Sequence, residues 1–136
     1  MNAKTWLIRA RNIDREIDAL IRARDETRGR VMSITQSYTG NAVQSTKDPH
    51  KYDRLVELEN LIDQKVDELV GVKAEIIRGV ERLNDGRYRE ILLARYVEGL
   101  TFEEISVRIK YSYKQTCRLH GRALMMMEVV LNETSH

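Results

Sequence analysis

A seven-residue repeat sets the main limit on what this chain can become. Leu55, Ile62, Leu69, Ile76 and Leu83 recur every seven residues; Leu58, Val66, Val72 and Val80 widen their stripe, with Leu61, Val70 and Ile77 beside it. That spacing collects them on one side of a helix, whereas a strand would scatter them over both faces. The intervening Asp, Glu, Lys and Arg residues fall mostly outside the stripe. A helix is therefore predicted over 49–84. Asp48 supplies a capping carboxylate, and Pro49 stands in the first turn, where its missing N–H costs nothing.

The N-terminal stretch has a comparable seam. Trp6, Ala10, Ile13, Ile17, Leu20, Val31, Ile34 and Tyr38 fall at helical spacing, with Arg24 and Thr27 interrupting the middle. A helix is predicted over 3–38, ended by Thr39-Gly40-Asn41, where glycine can take the left-handed cap. A polar loop over 39–48 separates the two. Two helices so joined most simply fold back as a long antiparallel, coiled-coil-like hairpin spanning residues 1–84. Trp6 reads as a packing anchor of that hairpin rather than as a binding residue. A hairpin buries only a strip, so the broad stripe calls for a further partner: the C-terminal unit, another copy of the chain or another protein. Asn84-Asp85-Gly86 is either a hinge or a tight corner.

Residues 85–136 read differently. A helix over 88–97 carries Ile91, Leu92 and Tyr96 on one face and is followed by Gly99, as a positive-φ cap requires. Thr101 with Glu104 has the spacing of a capping box, opening a helix over 102–109 that buries Phe102, Ile105 and Ile109. Lys110 and Tyr111 make a short turn. Ser112 with Gln115 repeats the capping-box spacing and opens a third helix with Thr116, Leu119, Ala123 and Leu124 turned inward. This is helix-turn-helix geometry, in which the first turn of the last helix enters the major groove. Between Ile105 and Met127 there is no acid, while Arg108, Lys110, Lys114, Arg118 and Arg122 are basic.

The candidate DNA-binding set is Lys110, Ser112, Tyr113, Lys114, Gln115, Arg118 and Arg122. Lys114, Gln115 and Arg118 suit base edges; Lys110, Tyr113 and Arg122 lie nearer the backbone. The competing reading is a three-helix packing unit with a solvated basic face. Two capping boxes, a short turn and a basic first turn agree with one another and favour the DNA reading. Met125-Met126-Met127, followed by Val129, Val130 and Leu131, extends the last helix either as core filling or as a docking face.

The run RYVEGLTFEEIS, followed by SYKQTCRLHGRAL, resembles region 4 of bacterial sigma factors over about the last third of the chain. The whole chain is similar to short phage and prophage proteins of Gram-positive hosts, of which the ArpU- and RinA-type late-gene transcription regulators are the better described. The resemblance implies a sequence-specific transcription regulator. It places Tyr113, Lys114, Gln115 and Arg118 at the positions that touch promoter DNA in that family. No sigma region 2 is recognisable, which argues against a promoter-melting factor. Tyr113 and Gln115 stand where the family usually has charged residues, so the target sequence would differ.

The formal net charge of +2 is too small for a general nucleic-acid binder, and residues 85–136 hold eight bases against seven acids, so the basic signal is local. Cys117 is the single cysteine, which excludes a disulfide framework; a redox role for it has little support. His50, His120 and His136 lack partners at metal-ligand spacing, and no phosphate-binding glycine loop or nucleophile motif occurs, so neither a metal, a cofactor nor an enzyme is expected. No apolar run approaches the roughly 18 residues of a membrane span, and Arg9 breaks Trp6-Leu7-Ile8 before a signal peptide could form. A cytoplasmic protein is expected. The expected partner is double-stranded DNA. RNA polymerase or a second copy of the chain, joined through the hairpin or the methionine-rich helix, would supply the avidity one small unit lacks. Two alternatives stand beside this: a small-terminase-like recognition subunit for phage DNA packaging, and a helical adaptor that contacts RNA polymerase or a sigma factor without binding DNA.

Overall fold

The computed structural model of the 136-residue chain describes residues 2–36 and 50–134. Among them every regular element is a helix: α1 (Ala3–Leu7), α2 (Arg9–Gln36), α3 (Lys51–Val80), α4 (Gly86–Tyr96), α5 (Phe102–Ile109) and α6 (Tyr113–Thr134). The expected loop over 39–48, the Asp48-Pro49 helix start and the last seam position, Tyr38, lie outside the described residues. None of the described helices is long and apolar enough to cross a membrane. The chain divides into two compact units, one of Met1–Ile13 with Leu69–His136, the other of Asp14–Glu68.

The unit Asp14–Glu68 holds parts of α2 and α3. Ile17, Val31 and Ile62 are buried, and Leu20, Leu55 and Leu58 are half-buried. Arg28 pairs with Glu59 at 3.0 Å and Lys65 with Glu16 at 2.7 Å. The partner's number falls as the residue number rises, so within this unit the two segments lie side by side and antiparallel. Such solvent-exposed pairs contribute only about 0–1 kcal/mol each; the apolar strip holds the segments together. That strip is narrower than the repeat suggests, since Val56, Leu61 and Val66 are exposed.

The larger unit has one continuous core. Leu7, Ala10, Ile76, Val80, Leu83, Ile91, Leu92, Ile105, Leu119, Ala123 and Met127 belong to it. Its central element is α6, which packs against α1, α4 and α5. Burying each large aliphatic side chain stabilises by about 1.5–3 kcal/mol, so α6 is fixed in rotation by the row Thr116, Leu119, Ala123 and Met127, all 5% exposed or less.

The first helix is broken once. Ile8 ends α1, and the Arg9 guanidinium donates to the Trp6 carbonyl at 2.9 Å and reaches Glu75 at 2.9 Å. Trp6 lies against Gly79 and Met127: a Cβ added at Gly79 would come within 2.7 Å of the Trp6 ring and 3.0 Å of the Met127 methyl. Trp6 thus packs on α3 at Gly79.

Residues 81–85 form a tight corner within this unit. Leu83 is buried, its carbonyl accepts from Arg89, and Asp85 caps α4 by accepting from the Arg87 N–H at 2.9 Å. Beyond α4, Gly99 takes φ +78° and lets the Leu100 N–H reach the Ala94 carbonyl at 3.0 Å. That is the backbone freedom its sequence position demands.

Candidate nucleic-acid interface

Two helices and a three-residue turn build the site. Thr101 accepts from the Glu104 N–H at 3.2 Å while Glu104 accepts from the Thr101 N–H at 3.0 Å, completing the first capping box. These bonds hold the Glu104 carboxyl below its usual range. Ser106 closes the far end of α5: its carbonyl takes the Tyr111 N–H at 3.2 Å around Lys110, which sits in the left-handed region at φ 62°. This is a Schellman-type ending with lysine where glycine is usual. A non-glycine residue there costs about 1 kcal/mol.

Ser112 opens α6. Its hydroxyl accepts from the Gln115 N–H at 3.1 Å, and Gln115 Oε1 takes the Ser112 N–H at a longer 3.4 Å. The Thr116 hydroxyl donates to the Ser112 carbonyl at 2.9 Å, which satisfies the one buried polar side chain among the described residues. The second capping box therefore forms, and the side-chain oxygen of Gln115 is held in it. Only the amide nitrogen of Gln115 is left to face a ligand.

All seven candidate residues, Lys110, Ser112, Tyr113, Lys114, Gln115, Arg118 and Arg122, are exposed. Lys114, Arg118 and Arg122 follow one another at four-residue steps, which puts them on one line of α6. Among the described residues, none of these three, nor Lys110, has a carboxylate within ion-pairing distance, whereas Arg108 is paired with Glu98 at 2.6 Å. The pKa of the Tyr113 phenol is raised, chiefly by its interaction with Cys117 one turn on.

Gln115, Arg118 and Arg122 line a cleft of about 470 Å³ together with Arg87, Tyr111 and Leu119. Lys110, Ser112, Tyr113 and Lys114 do not line it. The fork of Arg87 is held by Asp85, Nε to Oδ1 at 3.3 Å and a terminal nitrogen to Oδ2 at 3.0 Å. Asp85 first, and then the Tyr111 hydroxyl, raise the pKa of Arg87, while Arg87 lowers that of Asp85. Arg87 and Tyr111 are not legible as site residues in the sequence. Arg87 belongs to another helix, and no local pattern links it to α6. Tyr111 carries a weak signal, as an aromatic residue in the turn itself.

Behind the site, His120 and Tyr96 share a hydrogen bond of 2.8 Å, and Phe102 packs edge-on to the imidazole at 4.8 Å. Burial, aided by Arg95 and Lys4, pushes His120 down to about 4. It is a neutral, half-buried residue behind the basic row and takes no part in it. Among the described residues no cluster of three or more His, Cys, Asp or Glu side chains could hold a metal ion. Comparison with protein-family models, with curated proteins and with solved structures gave no match.

Proposed function

We propose that this chain is a sequence-specific DNA-binding transcription regulator of the phage type. In this reading α5, the turn at 110–112 and α6 act as a helix-turn-helix, and α6 enters the major groove by its first turn. One observation carries it. Lys114, Arg118 and Arg122 form a row of exposed cations, unpaired among the described residues, on the side of α6 opposite its packed residues. Like charges at four-residue steps destabilise a helix by about 0.2–0.5 kcal/mol per pair. A surface with only a structural role would relieve them with interspersed acids, and a polyanion would relieve them with its phosphates.

Lys114 and the amide nitrogen of Gln115, both in the first turn, are the groups for base edges. Lys110 adds charge from the turn and tolerates an unfavourable backbone conformation to be there, as functional positions often do. The antiparallel segments of α2 and α3 within Asp14–Glu68 offer a surface to a partner. A second copy, or RNA polymerase, raises the weak affinity of a single unit. The exposed apolar groups for a second copy are Val56 and Val66 on α3, or Met125, Met126 and Val129 on α6.

Selection from a random duplex pool tests the reading. A recurring motif should emerge, and with about four phosphates neutralised, log K should fall against log salt with a slope near −3.6. Lys114→Ala should lose discrimination between the motif and its mutants. A pool that yields no motif, together with no salt-dependent binding of any duplex, would overturn the reading.

A further inference from the structure

We infer that the cleft between α4 and α6 seats one phosphate of the nucleic-acid backbone, gripped by Arg87, Arg118 and Arg122; this rests on the duplex-binding reading above. Three guanidinium groups line one concavity with the Tyr111 hydroxyl and the Gln115 side chain, and no carboxylate lines it. The nearest acids stand outside. Asp85 is paired with Arg87 at 3.0 Å, and Glu90 lines an adjoining cleft with Arg87 and Tyr111.

Arg87 is the informative member. Most surface arginines sweep a wide volume, and fixing one costs side-chain entropy. Here Asp85 grips the guanidinium through two nitrogens, and Asp85 is itself fixed as the cap of α4. Arg87 is therefore held in place on the wall of the cleft before any ligand arrives. Arg118 and Arg122, one turn apart on α6, approach from the other wall and have no carboxylate partner among the described residues. A tetrahedral dianion or phosphodiester accepts several such donors at once, and arginine is the residue whose planar fork fits it. An apolar or cationic occupant would meet Arg118 and Arg122 beside the Asp85-paired Arg87.

The consequence is a division of labour along α6. Lys114 and the amide nitrogen of Gln115 remain to meet base edges. Arg118, which its residue type alone suggests for guanine, is drawn to the backbone instead. Arg87, from a different helix, sets the register of the protein on the duplex. Phosphate contacts fix position without carrying sequence information.

The experiment uses the full chain, a short mixed-sequence DNA duplex and the motif recovered by selection. Arg87→Ala and Arg122→Ala should each flatten the salt slope, by at most the about 0.9 that one phosphate contributes, and weaken both duplexes by the same factor. Lys114→Ala should weaken the motif more than the mixed sequence. Arg122 is exposed on α6, so its variant keeps the test valid if Arg87→Ala disturbs the α4 cap. The guanidinium NMR signals of Arg87, Arg118 and Arg122 should move together when duplex is added. If duplex binds with the wild-type slope in both variants while those signals stay still, the phosphate seat is wrong and the DNA reading survives. If the signals move with inorganic pyrophosphate but no duplex binds, the cleft serves a free anion, and both the backbone assignment and the DNA reading fall.

Discussion

Beneath the basic row, His120 shows how one side chain ties the stability of the interface to pH. Its imidazole is held neutral, with a pKa near 4 against an ordinary value of 6.5, mainly because burial strips water from the charged form. The unfolded chain therefore binds more protons than the folded one between these two values. Stability is full above pH 6.5 and is lost as pH falls toward 4. The undiscounted shift corresponds to about 3 kcal/mol. The ring is only part-buried, so solvent screening reduces the loss between pH 7 and pH 5 to about 1 kcal/mol. Asp85 and Glu104, both held below their usual range by hydrogen bonds, lose their contributions mainly below about pH 5. Urea midpoints at the two pH values should separate by that amount in the wild type and converge in His120→Gln. Equal midpoints in the wild type would show that the imidazole is not held neutral.

At the scale of the element, α3 carries two glycines with opposite expectations. A Cβ added at Gly71 would meet nothing within 4 Å, so Gly71→Ala should stabilise by about 0.5–1 kcal/mol through helix propensity alone. The same atom at Gly79 would meet the Trp6 ring at 2.7 Å and the Met127 methyl at 3.0 Å, and Met127 is fully buried. Overpacking there costs about 1–3 kcal/mol, which outweighs the propensity gain, so Gly79→Ala should lower the melting temperature while Gly71→Ala raises it. The same pair shows what a sequence can convey about this fold. Both glycines sit inside a clear helical period, and that period is enough to place them on a helix. What distinguishes them is a tryptophan distant in the chain, which no local window contains. The α5–turn–α6 segment is legible almost to the residue, because capping boxes and Gly99 are local signals. The break at Ile8 is not, since it depends on Arg9 meeting both the Trp6 carbonyl and Glu75. Gln115 suits both a cap and a base edge by its residue type, and only the geometry shows that its oxygen serves the first.

For the molecule as a whole, the decisive fact is that residues far apart in the chain complete the core behind the interface. Ala3, Leu7 and Ala10 are buried in the same cluster as Ala123, Met127 and Val130, with Ile76, Val80 and Leu83 between them in sequence. The compact unit around the basic row thus runs beyond residues 85–136 and takes in Met1–Ile13 and Leu69 onward. A fragment of residues 85–136 retains Ile91, Leu92, Ile105 and Leu119 but leaves the inner face of the later turns of α6 bare. Small units that cannot bury enough surface fall below the margin of about 5–15 kcal/mol on which folding rests. The fragment should show reduced helicity and a broad, weakly cooperative melt by circular dichroism. Extending it to begin at Leu69 should recover only part of the loss, because Leu7 and Trp6 are still missing. In the full chain, Leu7→Ala should destabilise by about 2–5 kcal/mol, the range for emptying a fully buried leucine site. Fluorescence of Trp6, the single tryptophan, should then shift to the red at lower urea than in the wild type. If the 85–136 fragment melts as sharply and as high as the full chain, the N-terminal helix is an accessory to the interface and not part of its core.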